Sequence, residues 1–440
     1  MANTAPDRTT TYAWYLTGLL ALAYLLNIVD RFLMALLLEH IKSGLQLTDT
    51  QIGFLQGPSF VALFVIASLP MGWLADVWNR RALVTLGILV WSLATFACGL
   101  ANTFGELFAA RLLVGFGEAT LMPCAMSLIV AYFSRDKLNR GISIYSMGGS
   151  FGRFVAFSGG GALLGWMLVS GGLSLPIMGT LTPWQSLFVV AGLLGVVVAL
   201  ILWASIREPA RAAVPQFHIA EALDALRYFR RNVWAYLAIF IPFSMTAAIT
   251  MQLANWTVSF YARRHHLPAS DAGQIVGFSG LIFGPAGHLL GGWVNDHLTK
   301  RGVRGSQVLV LLTMLLMVPM LVTVFLRTDS IPVAVLAYGF SYLGLCIPGP
   351  TGLGGVQRLT PDRMRGFMSS LFLMFYMVLG SGVGPMAAGL IGNYWFKDES
   401  MLGQSILAGT IIFMAAGLPF AIFGRRAYVR TVADNEFQNA

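Results

Sequence analysis

The chain has 440 residues, of which 57% are hydrophobic and 11% charged, and it carries a formal net charge of +9. Soluble domains average roughly 25% charged residues, so a soluble fold of this size could not cover its surface, and lipid must solvate much of it. A basic excess could serve nucleic acid, but its placement along the chain, given below, points to a membrane surface.

Crossing a hydrocarbon core of about 30 Å takes about 20 apolar residues in a helix. Apolar runs of that kind lie near 13–38, 51–75, 82–101, 105–132, 142–169 and 185–206, then near 233–261, 272–294, 306–326, 332–352, 367–393 and 403–424. None alternates in the ten-residue manner of an outer-membrane barrel strand. The first run is too long for a signal-peptide core and reads as a retained span. The expected fold is all-α and integral to the membrane, with twelve transmembrane helices in two pseudo-symmetric six-helix bundles, 1–206 and 233–440. The segment 207–232 between them reads either as a plain cytoplasmic linker or as an amphipathic interfacial helix, with Ile219, Leu223 and Leu226 at helical spacing beside Arg227, Arg230 and Arg231.

With both termini placed in the cytoplasm, the inner loops hold most of the Lys and Arg residues. These include Arg8, Arg80, Arg81, Arg135, Arg207, Arg211, Lys300, Arg301, Arg425 and Arg426. The outer loops hold only Lys42, Arg263, Arg264, Arg327 and Lys397. That asymmetry is the positive-inside rule. It sets the charge against anionic lipid and leaves nucleic acid without a role. Cys98, Cys124 and Cys346 all fall within spans and read as small packing residues.

Few ionisable groups stand within the spans: Asp30, Arg31, Arg111, Glu118, Arg153 and His288. Each is costly in hydrocarbon, so each is expected to face the bundle interior. Asn27, Asp30 and Arg31 share one arc of the first helix. Arg111 and Glu118, seven residues apart, share a face of the fourth, separated by about 10 Å along its axis. The expectation is that Asp30 pairs with Arg31 or Arg111 while Glu118 takes and releases a coupling proton. Desolvation and a neighbouring guanidinium act on such a carboxyl in opposite senses, so access of water could switch its protonation. A fixed ion-pair cluster holding the half-bundle together is the alternative. Arg153 offers a bidentate fork to an anionic headgroup, or else pairs with Glu118. His288 reads as a hydrogen-bonded packing residue. The second half offers Trp256, Tyr261, Phe340, Tyr342 and Phe375 as apolar lining, with most of them expected to be ordinary packing.

The chain repeats itself. Gly72-Trp73-Leu74-Ala75-Asp76 with Arg80-Arg81 matches Gly292-Trp293-Val294-Asn295-Asp296 with Lys300-Arg301, 220 residues on. Arg140-Gly141 and Arg365-Gly366 likewise open corresponding spans. Parallel repeats of six spans suit an alternating-access transporter. Asp76 and Asp296, set near helix C-termini against the dipole, suggest switch loops whose carboxylates find partners on neighbouring helix ends in one conformation. Glycines cluster in the fifth span (Gly148, Gly152, Gly160, Gly161, Gly165) and the eleventh (Gly380, Gly382, Gly384), where they let helix backbones approach.

Gly72-x-Leu74-Ala75-Asp76 with Arg80-Arg81 is similar to the signature loop of the major facilitator superfamily, and Arg111 through Ala119 resembles that superfamily's fourth-helix motif. More narrowly, Asn27-Ile-Val-Asp30-Arg31, Gly53-Phe-Leu-Gln56, Asp76-Val-Trp78-Asn79-Arg80, Trp91-Ser92-Leu93 and Arg111–Ala119 together resemble the Spinster-like transporters, which carry lysolipids or sphingosine-1-phosphate. Val77 and Asn79 depart from the wider superfamily's pattern, where a basic residue and Gly are usual. The resemblance implies a secondary transporter working by alternating access, proton-coupled through Asp30 and Glu118. It implies an amphiphilic anionic lipid, such as a lysolipid or sphingoid phosphate, as substrate. Organic-anion symporters share the Asp-Arg and Gly-Glu-Ala patterns, so a small soluble organic anion is the alternative. No cofactor or metal is called for, and no nucleophile–His–acid set marks an enzyme. The partners expected are membrane lipids, substrate and protons, with the chain a monomer in a bacterial inner membrane.

Overall fold

A computed structural model describes residues 11–134, 136–175, 179–209 and 219–438. Arg8, Arg135 and Arg211 of the basic inner loops lie outside them. Among the described residues, twelve helices are long and apolar enough to cross a membrane: Thr11–Leu36, Asp49–Val77, Arg80–Cys98, Phe104–Tyr132, Leu138–Ser170, Pro183–Ser205, Val233–His265, Ala269–Lys300, Ser306–Arg327, Ile331–Leu359, Asp362–Phe396 and Glu399–Asn435. They correspond one to one with the apolar runs. Several extend a turn or more past them, because polar residues can continue a helix beyond the apolar stretch: the eighth runs on to Lys300 and the tenth to Leu359.

Local chemistry sets the ends. Thr48 accepts a hydrogen bond from the Gln51 amide, while Gln51 Oε1 accepts from the Thr48 amide at 2.9 Å, a capping box that opens the second span. Asn79 accepts from the Ala82 amide at 2.8 Å to start the third span. Thr103 accepts from the Glu106 amide at 3.2 Å to start the fourth. A two-residue antiparallel ladder, Ser174–Leu175 with Gly179–Thr180, lies in the loop between spans five and six.

Spans five and eleven are not uniform α-helices. The fifth widens to a π-helical turn at Val155–Gly159, and the eleventh at Tyr376–Val383 and again at Ile391–Phe396. The first two of these stretches occupy matching places in the two halves. Close approach also recurs there: a Cβ on Gly148 would collide with the Ala21 carbonyl of span one, and one on Gly384 with the Ala248 carbonyl of span seven. Only glycine allows those crossings.

Packing divides the chain into two compact units. The first comprises Met1–Leu47, Ser59–Gln216 and Pro268–Gly277; the second comprises Thr48–Pro58, Phe217–Leu267 and Phe278–Ala440. The start of span two thus packs with the second half of the sequence, and the start of span eight with the first. Within the first unit, Trp91 and Phe188 are fully buried. The end of span six is tied to its neighbours there by Tyr12 Oη donating to the Ser205 carbonyl (3.0 Å) and Tyr132 Oη to the Arg207 carbonyl (2.6 Å). In the second unit a buried cluster of Tyr236, Phe240, Met368, Phe372 and Tyr428 closes the ends of spans seven, eleven and twelve. Large apolar side chains such as Ile66, Leu69, Leu289 and Phe423 stay exposed. That is the arrangement lipid requires.

The repeated loops differ in detail. Span two ends at Val77, one residue past Asp76, whereas span eight continues through Asp296 to Lys300. Asp296 therefore sits before the last helical turn rather than in it, a correction to the expected parity of the two carboxylates. Both are exposed. Around Asp76, Arg81 lays its guanidinium 4.3 Å from the Trp203 ring, and its amide donates to Glu208 Oε2 at 3.0 Å. Gly72 and Gly292 have open space where a Cβ would stand. After Lys300 and Arg301 the chain turns through left-handed Gly302 and Gly305, both with positive φ.

Candidate functional site

Five spans of the first unit converge on a cluster of charges that the sequence marked as costly. Asp30 and Glu118 are 3% and 2% exposed, Arg111 1% and Arg153 7%. Asn27, also buried, directs its amide toward Glu118. Groups so enclosed must be satisfied by one another.

The pairing is not the one expected. Arg31, rather than Asp30, meets a partner across helices: its Nη2 donates to Glu118 Oε2 at 2.7 Å. Asp30 instead accepts from Thr95 Oγ1 at 3.1 Å, and among the described residues it makes no ion pair. The physical reason is rotation. Asp30 and Arg31 are adjacent on one helix, so their side chains diverge by about 100°, which turns Asp30 toward span three and Arg31 toward span four. Charge–charge influence still connects Asp30 to both Glu118 and Arg111. Glu118 keeps its second oxygen, Oε1, buried and without a hydrogen-bond partner among the described residues.

The guanidinium groups are held by rings. Arg31 stands 4.4 Å from the centroid of Phe60, and Arg111 5.7 Å from the same ring. Phe64, one turn further along, is 6.0 Å from Arg31. Arg153 lies over Phe32 at 4.9 Å and Phe157 at 5.9 Å. Cation–π contact stabilises a guanidinium most where water is excluded. Tyr24 and Tyr145 stack nearby, with centroids 4.9 Å apart and planes 12° from parallel. Thr95 and the rings were missed by the sequence reading, which looked only at ionisable groups. The Phe60–Phe64 spacing on span two is the signal that could have found the rings.

In the second half Trp256 and Tyr261 are fully buried in packing, as expected of most of its aromatics, and Trp256 Nε1 donates to the Pro385 carbonyl at 2.7 Å. Span seven also carries buried Thr246, Gln252, Asn255, Thr257 and Ser259. His288 has the expected hydrogen bond, its Nδ1 2.9 Å from the Gly284 carbonyl one turn back, but its side chain is exposed rather than packed in the interior.

A second ion-pair site, absent from the sequence reading, belongs to the second unit. Asp49 at the start of span two is 2% exposed and accepts two hydrogen bonds from Arg263 at the end of span seven, at 2.6 and 2.8 Å. Arg263 also donates to the Glu399 carbonyl at 3.1 Å, and the Asp49 amide donates to Glu399 Oε1 at 2.9 Å. Asp49 stands beside the capping Thr48, and nothing local in the sequence signals its distant partner.

A bundle of twelve spans with charges enclosed in one half defines a polytopic carrier. The Major Facilitator Superfamily model matches residues 20–385, and the chain belongs to that superfamily of transporters. An efflux pump of that type from Mycolicibacterium smegmatis is 27% identical over 92% of this chain and 90% of its own length. A probable galactarate/D-glucarate transporter from Bacillus subtilis is 25% identical over 89% of this chain and 88% of its own. Among solved structures, a bacterial homologue of the human lysosomal transporter Spinster, inward-facing and occupied, superposes with a TM-score of 0.79 at 25% identity, covering 97% of this chain and 98% of that one. The resemblance to Spinster-like proteins stands, and the family and fold are those of transporters rather than enzymes.

Proposed function

We propose that this transporter is a proton-coupled secondary carrier that works by alternating access, with Glu118 and Asp30 as its proton-exchanging carboxyls and an amphiphilic anion, such as a lysolipid or sphingoid phosphate, as its substrate. One observation carries the reading: Glu118 shares one oxygen with Arg31 and leaves the other buried without a hydrogen-bond partner among the described residues. A carboxylate held so incompletely gains from protonation when the guanidinium is drawn to another anion, which links proton uptake to substrate binding. Thr95 provides Asp30 with a donor that can serve either protonation state. Arg153, over Phe32 and Phe157, offers a cation framed by apolar rings, a surrounding that fits a headgroup with a tail attached. The excess of Lys and Arg in alternate loops supports a topology with both termini in the cytoplasm of an inner membrane, and the repeated loops at Asp76 and Asp296 are the proposed switch points.

The alternative substrate, a small soluble organic anion, gains support from the sugar-acid transporter relative and from the buried amides and hydroxyls of span seven. Uptake into proteoliposomes under an imposed pH gradient, with lysolipids, sphingoid phosphates and small dicarboxylates compared, separates the two. Amphiphile transport that Arg153→Ala reduces at least about tenfold supports the lipid reading; transport of dicarboxylates alone overturns it. Glu118→Gln should abolish the pH dependence of transport. If that variant retained the full dependence, the coupling assignment would be wrong whatever the substrate.

A further inference from the structure

The helix Ile219–Arg231, which leads into span seven, has two faces with different fates. Ala225 is fully buried, and Tyr228 and Phe229 pack with Tyr236 and Phe240 of span seven. Tyr228 Oη also lies within hydrogen-bond distance of two acceptors, the Leu359 carbonyl at 3.2 Å and Asn435 Oδ1 at 3.0 Å. The helix is therefore fixed to the second unit. The opposite stripe is uncovered: Leu223 is 48% exposed and Leu226 43%, with Arg227, Arg230 and Arg231 exposed beside them. Leu223, Leu226 and Arg230 follow helical spacing, so the apolar and cationic groups share one surface. Asp224 pairs with Arg227 at 2.8 Å, while no carboxylate meets Arg230 or Arg231 among the described residues.

Two exposed leucines in the turns before Arg230 and Arg231 do not suit water, and two features fix what meets them. The helix stops one residue before a membrane span, separated from Val233 by Asn232 alone. In the first turn of that span Trp234 is 60% exposed, an aromatic at the level where indole rings seek the headgroup region. The stripe thus sits at the boundary of the bilayer, and its charge is complementary to acidic lipid. We propose that this face of the helix docks on the membrane surface. In that arrangement Leu223 and Leu226 enter the boundary between headgroups and acyl chains, and Arg230 and Arg231 hold the phosphates of anionic phospholipids. The helix would then anchor the second unit to one leaflet while that unit moves.

The test uses the full chain in nanodiscs, with a polarity-sensitive fluorophore on Leu226→Cys; the native cysteines are buried. In discs containing phosphatidylglycerol the probe should be quenched by spin-labelled lipid and shielded from iodide, and less so in phosphatidylcholine alone. Arg230→Gln combined with Arg231→Gln should remove that difference between lipids. Native mass spectrometry of the same variant should show about tenfold weaker retention of phosphatidylglycerol. Equal access of iodide in both lipids would overturn the proposal. So would shielding from both quenchers, which would mean that protein covers the stripe.

Discussion

At the scale of single residues, the site turns on which neighbour each charged group meets. Seven-residue spacing correctly put Arg111 and Glu118 on one face, and the cost of charge in lipid marked the cluster. The partner of Arg31 was not legible, because it depends on how two helices rotate about their axes, and no local pattern encodes that. Thr95 was hidden for a related reason: one hydroxyl in an apolar run costs little and attracts no notice until a carboxylate is seen opposite. Its role is checkable. Thr95→Val leaves Asp30 without its donor, so transport at neutral pH should fall about tenfold, the lower end of the ~1.5–3 kcal/mol typical of a hydrogen bond to a charged group. Thr95→Ser should retain it, and initial rates in proteoliposomes across a pH series distinguish the two.

At the scale of elements, the spans were legible as apolar runs because hydrocarbon leaves a helix few alternatives. What those runs did not disclose is where two of them change partners. The start of span two is held in the second unit by Asp49, Arg263 and Glu399, three residues hundreds of positions apart. Removing one partner leaves a buried charge uncompensated, so Arg263→Gln should destabilise the protein by about 1–3 kcal/mol. Asp49→Asn added to Arg263→Gln should recover part of that loss, which thermal unfolding of the purified variants would read as a double-mutant cycle. Additive losses would show that the pair contributes no coupling.

At the scale of the molecule, the repeat predicted two related halves, while packing assigns Thr48–Pro58 and Pro268–Gly277 each to the unit made mainly from the other half. The alternating cycle proposed above would exchange those contacts. A Cβ on Gly389 would collide with the Asp49 carbonyl oxygen and stand 3.1 Å from the Thr50 Cα, so glycine is what lets the start of span two pack there. Gly389→Ala should therefore loosen that packing and slow transport, read as initial rates in proteoliposomes. Undiminished transport by this variant would show that the contact does not limit the cycle.

The widened turns of spans five and eleven carry a consequence for motion. A π turn holds one residue more than the α turns around it, so a local hydrogen-bond register is left open. That opening can pass along a helix by exchanging one bond at a time. Each step turns the stretch between old and new positions by about 100° without melting the span. Val155–Gly159 and Tyr376–Val383 would then behave as travelling dislocations, letting a glycine-lined surface roll rather than slide. Backbone amides there should exchange with deuterium faster than those of the flanking turns, and faster still while substrate is being carried.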